Sequence, residues 1–118
     1  MHRTKNKRKN TRSAVWEDIT ATLEMKDPLD PRGQKRIIVK GNVKDLGAEG
    51  MFFVSNESIP VDAKAYIVID FNPGQPGAWT LAAKGKTVRK AQEGVGIRFS
   101  SVDLRKMQRC IMARMNHS

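Results

Sequence analysis

Runs of β-branched and aliphatic residues recur along the chain at short, regular intervals, with clusters of Pro, Gly, Asp and Asn between them. That spacing predicts an antiparallel barrel or sandwich, because parallel βαβ units need a helical crossover between successive strands. Val15 to Met25, with Ile19, Thr20, Thr22 and Leu23, reads as a first strand. Asp27-Pro28-Leu29-Asp30-Pro31-Arg32-Gly33 is too dense in breakers to be anything but a loop. Arg36 to Val43 reads as a second strand, closed by Gly41-Asn42 or by the turn after it, and Met51-Phe52-Phe53-Val54 as a third. Pro60 and Asp62 mark a turn. Tyr66 to Phe71 then alternates, with Tyr66, Val68 and Asp70 opposite Ile67, Ile69 and Phe71. After the breakers Asn72 to Gly77, Trp79 to Arg89 and Val95 to Phe99 complete about six strands.

The last segment has a different period. Leu104, Met107, Ile111 and Met115 fall at i, i+3, i+7 and i+11, with Met112 beside them, and predict an amphipathic helix over 102–115. Ser100 or Ser101 suits its N-cap, with Asp103 in the first turn and Arg114 in the last. Its methionines fit packing against the barrel mouth or an adaptable partner groove. A chain of 118 residues is one domain's worth, long enough for a modest core without disulfide or metal staples. The single cysteine, Cys110, excludes an intramolecular disulfide and a Cys-based zinc finger, and reads as a small buried or semi-buried hydrophobe. No apolar run approaches the roughly 18 residues of a membrane span, and the N-terminus is too basic for a secretory signal. A cytoplasmic protein with no membrane insertion is expected.

Charge is unevenly placed. The formal net charge is +10, and residues 1–12 hold Arg3, Lys5, Lys7, Arg8, Lys9 and Arg12 with no acid, so that segment is +6 and the remainder +4. Without a large apolar side chain, residues 1–12 read as a flexible basic arm on a nearly balanced body, which suggests an anionic partner.

Catalytic groups are scarce. His2 and His117 lie at the chain ends, Cys110 has no histidine near it in sequence, and no phosphate-loop lysine, HExxH or GxSxG motif is present. Asp18, Asp27, Asp30, Glu57 and Asp62 stand in turns or on strand faces and read mostly as solvated charges. The chain is not expected to be an enzyme, to hold a metal or to carry a cofactor.

Two short constellations remain. Arg8-Lys9-Asn10-Thr11-Arg12 places an Arg-x-x-x-Arg pair where the arm meets the first strand, and Asp45-Leu46-Gly47-Ala48-Glu49-Gly50 makes a glycine-bearing loop between the second and third strands. Together they suit a guanine nucleotide. Arginine forks match the guanine O6/N7 edge or a phosphate bidentately, an aspartate accepts from N1 and N2, and glycines let the backbone approach.

Taken in order, these motifs resemble a PilZ domain, the bacterial receptor module for the second messenger cyclic di-GMP. The likeness runs from about Lys7 to Met115 through RKNTR, NVKDLGAEGMFF, IPVDAKAYIVIDF and GVGIRFSSVDLRKMQRCI. It implies an all-β fold, a six-stranded antiparallel β-barrel with a C-terminal helix, over residues 13–118. It also implies cyclic di-GMP binding by Arg8, Arg12, Asp45 and Gly50, with Lys7 where the family tunes ligand stoichiometry. Gly47 takes the place of the motif's usual serine, whose missing bond is worth about 0.5–1.5 kcal/mol, or up to about 3 if a charged phosphate is involved. Lys86-Thr87-Val88-Arg89 lacks the family's frequent tryptophan, leaving Arg89 to stack on a base instead.

The reading is a receptor whose arm orders over the ligand and presents a changed surface to a downstream protein. Two alternatives stay open: a PilZ-fold adaptor blind to the ligand, and a basic barrel that binds nucleic acid. Against the last, Trp16, Phe52, Phe53, Tyr66, Phe71, Trp79 and Phe99 fall mostly at presumed core positions, which leaves few for a stacking platform.

Overall fold

Six antiparallel strands close into a barrel in the computed structural model, which describes residues 18–74 and 79–117. They are β1 (Thr20–Lys26), β2 (Arg36–Lys44), β3 (Gly50–Val54), β4 (Lys64–Asp70), β5 (Thr80–Ala91) and β6 (Gly94–Val102), followed by helix α1 (Leu104–His117). Their order around the ring is β1-β2-β3-β6-β5-β4, and β1 pairs with β4 to close it. Each described strand pairs with a neighbour on both sides over at least part of its length, which shields much of its edge from another chain.

Alternation builds the core. Ala21, Leu23 and Met25 of β1, Ala65, Ile67 and Ile69 of β4, and Leu81 and Ala83 of β5 point inward and are buried. Tyr66 and Val68 face outward, as their alternation predicts. Gly41 does not end β2, which runs on to Lys44. A Cβ there would lie 2.3 Å from Val54 O and 2.8 Å from Phe53 Cζ, so the glycine serves a close approach inside the sheet.

The first strand is shorter than expected. Asp18 sits in a turn and β1 starts at Thr20; the expected start at Val15, like the whole arm 1–12, lies outside the described residues. Asp18 is not merely solvated either. It accepts from Arg114 Nη2, and Arg114 Nη1 also donates to Phe71 O at 3.4 Å. This ties α1 to the ends of the barrel where β1 begins and β4 stops.

The helix begins later than 102, because Ser100, Ser101 and Val102 still belong to β6. Its cap is Asp103, not a serine: Lys106 N donates to Asp103 Oδ1 at 3.1 Å, and Met107 N to Asp103 O at 2.9 Å. The buried stripe is also rotated from the expected one. Met107 and Cys110 join the core, with Ile111 packed against it, while Leu104, Met112 and Met115 remain about half exposed. Burial pushes the Cys110 thiol up from its ordinary value, outweighing Lys106 and Arg109, so it is a packed hydrophobe as expected.

The loop at residues 27–35 is held by carboxylates rather than left to solvent. Asp27 Oδ1 accepts from Leu29 N, and Asp30 accepts from Arg32 N at 3.1 Å, Gln34 N at 2.8 Å and Lys35 N at 2.7 Å. The bond from Lys35, then those from Arg32 and Gln34, hold the Asp30 carboxyl below its ordinary value of 3.8. A lowered carboxyl contributes its stabilisation above the ordinary value and loses it as pH falls through the lowered one. The amide resonances of Arg32, Gln34 and Lys35 should therefore move together in acid with a midpoint below 3.8. A common midpoint at or above that value would contradict the arrangement.

Candidate functional site

The loop between β2 and β3 starts at Asp45, whose φ of 51° is left-handed, a conformation Asp tolerates better than most side chains. Gly47 N donates to Gly50 O at 2.9 Å, and Phe99 N donates to Glu49 O at 2.8 Å, which fastens the loop to β6. Gly50 lies directly opposite Arg98. A Cβ on Gly50 would stand 2.1 Å from Ile97 O, so only glycine fits where the loop runs into β3.

The next outward pair is Phe52 on β3 and Gly96 on β6. Phe52 is half-buried between the inward Met51 and Phe53. Gly96 has open space, with nothing closer than 3.8 Å to an added Cβ, so its missing side chain makes a low floor rather than relieving a clash. On β5 a bulge between Thr87 and Arg89 places two consecutive exposed residues, Val88 and Arg89, beside Gly96.

These elements enclose a shallow, open depression of about 510 Å³ on the outside of the barrel. Phe52 and Val88 supply apolar walls, Gly50 and Gly96 the low ground, and Asp45, Glu49, Arg89 and Arg98 the charges. None of those four charged groups makes an ion pair among the described residues. Two guanidinium forks, two carboxylates and an aromatic face suit a ligand that carries phosphate, hydrogen-bond donors and a ring system together.

Asp45, Gly50 and Arg89, expected from the sequence, are thus brought to one place. Gly47 lies in the same loop but does not line the depression. Lys7, Arg8 and Arg12 lie outside the described residues. Glu49, Phe52, Val88, Gly96 and Arg98 were not singled out by sequence reasoning. Alternation along Val95 to Phe99 turns Gly96 and Arg98 outward, but only the strand register sets them against Phe52 and Gly50.

Among the described residues no group of three or more His, Cys, Asp or Glu is arranged to hold a metal ion. None of their helices is long and apolar enough to cross a membrane.

The PilZ domain family model matches residues 6–113, a span that includes the β2–β3 loop, the outer face of β6 and the Arg-x-x-x-Arg motif. The chain belongs to the PilZ domain family, whose members are receptor modules for cyclic di-GMP and generally not enzymes. No curated protein and no solved structure matches the chain closely enough to count as a relative.

The glycines should separate in their tolerance. Gly50→Ala should lower stability by about 1–3 kcal/mol in urea unfolding, since β3 and β6 must move apart. Gly47→Ala and Gly96→Ala, with no tight neighbour, should stay within about 0.5 kcal/mol apart from glycine's own backbone entropy. Equal losses at all three would refute the role assigned to Gly50.

Proposed function

We propose that this domain is a cytoplasmic, non-catalytic receptor for cyclic di-GMP that binds the ligand in the depression beside the β2–β3 loop. The observation that carries the reading is the coincidence of the family's loop motif with four charges that make no ion pairs among the described residues, around a floor of two glycines. Asp45 accepts from the N1 and N2 donors of one guanine, with Glu49 beside it. Arg98 and Arg89 take phosphate or the O6/N7 edge, Arg89 from a bulge that turns it toward the ligand. Phe52 offers a ring face in place of the absent tryptophan. Arg8 and Arg12 close over the ligand from the arm, preceded by Lys7, and this ordering changes the surface that a downstream protein reads.

Gly47 lowers affinity without abolishing it. A hydroxyl there has room, since nothing lies within 4 Å of an added Cβ. Gly47→Ser should tighten binding by roughly two- to ten-fold, the worth of about 0.5–1.5 kcal/mol.

Calorimetric titration with cyclic di-GMP at near-physiological salt tests the reading, with GTP as control. Saturable binding is expected for the natural sequence, with heat lost in Arg8→Ala/Arg12→Ala and in Gly96→Val, whose branched side chain would fill the floor of the depression. Binding by GTP of equal strength, or binding unaffected by Gly96→Val, would contradict the assignment. A ligand-blind adaptor is favoured by one observation, the missing serine hydroxyl, and the absence of any heat would select it. Binding that falls steeply with salt but ignores guanine would select a nucleic-acid barrel instead.

A further inference from the structure

A second concavity, of about 850 Å³, lies where β4 begins and β1 ends. Its floor is apolar: Tyr66 and Val61 are 53% and 45% exposed, and Pro28, Pro60 and Ala63 complete it. Thr87 fixes one wall. Its hydroxyl donates to Pro60 O at 2.7 Å and accepts from Ala63 N at 3.0 Å, while Asp62 N donates to Thr87 O at 2.7 Å. The shape is therefore built before any partner arrives.

Around this floor stand Lys26, Arg36, Lys64, Lys84 and Lys86 against Glu24 and Asp62. Arg36 is 3.5 Å from Glu24 and Lys86 is 3.9 Å from Asp62, which uses both carboxylates. Lys26, Lys64 and Lys84 have no carboxylate partner among the described residues, and Lys84 Nζ lies 5.3 Å from the centre of the Tyr66 ring. Lys64, Lys86 and Arg98 also stand directly opposite one another across β4, β5 and β6. Like charges in register repel, and a barrel that keeps three of them in a row gains when an anion lies across them.

We propose that this groove docks an acidic segment of a partner protein, with one apolar side chain seated on Tyr66 and Val61 and carboxylates on Lys26, Lys64 and Lys84. Charge complementarity decides the sign of the partner, and the apolar floor decides its class. A nucleic acid would find a single aromatic ring, too few for a stacking platform, and would leave the apolar floor at Val61, Pro28 and Pro60 unused. The proposal rests on the reading that the domain passes its signal to a protein, but not on the identity of the nucleotide.

Fluorescence anisotropy with a labelled short peptide of Asp and Glu around a central Leu-Phe pair tests it, with resonance shifts to place the contact. Binding should weaken at least ten-fold in Lys64→Glu/Lys84→Glu and in Tyr66→Ala, with shifts at Val61, Tyr66 and Lys84 in the natural sequence. The same peptide with Leu-Phe replaced by Ser-Ser should bind less tightly. Gly96→Val should leave peptide binding intact, which separates this site from the nucleotide depression. No peptide binding, binding indifferent to the variants, or tighter binding of a single-stranded RNA oligonucleotide at the same residues would overturn the proposal.

Discussion

Two seams, β1–β4 and β3–β6, join the halves β1–β3 and β4–β6 of this barrel, and the candidate site lies on the second. That second seam is possible only because glycines stand at both ends of the pairing. A Cβ on Gly50 would meet Ile97 O at 2.1 Å, and one on Gly94 would meet Phe53 O at 2.0 Å. With the backbones that close, the β2–β3 loop is drawn onto β6, and Phe99 N reaches Glu49 O. The same approach sets Phe52 beside Gly96 and leaves the position opposite Arg98 without a side chain. The β3–β6 seam and the candidate site are thus consequences of one packing condition.

Two irregularities refine this frame. Residues 81, 83, 85 and 87 of β5 face the core, so strict alternation would turn Arg89 inward; the bulge after Thr87 turns it out instead. A second register shift, between Lys84 and Gly85, lies where β5 and β6 border the basic groove. The groove and the depression meet along the opposed pair Lys86 and Arg98. An anion bound in one therefore lowers the positive potential felt in the other, an electrostatic link that needs no change of shape.

Much of this architecture was legible in the sequence because period-2 patterns report which face of a strand is buried. The runs at 36–43, 51–54 and 66–71 each became a strand, and Asp45 and Gly50 fell where their motif implied. Long-range register was not legible: nothing local to Gly96 or Arg98 says that Gly50 and Phe52 lie across from them. Bulges hid for the same reason. The helix stripe was misplaced because Arg114, a charged residue, joins the packed face through Asp18 and Phe71 O, whereas Met115 stays about half exposed. Asp27 and Asp30 are at the exposed surface as expected, but their grip on the loop was not legible, because backbone amides that bend back onto a carboxylate leave no compositional trace.

The position proposed for cyclic di-GMP, on the outer face between the β2–β3 loop and β6, can be read residue by residue. Titrating nitrogen-15-labelled protein with cyclic di-GMP and following each backbone amide tests it most directly. The largest shifts should cluster at Asp45, Glu49, Gly50, Gly96 and Arg98, with the groove at Val61 and Tyr66 little changed. Saturating shifts centred on that groove, or none anywhere at high ligand, would contradict it.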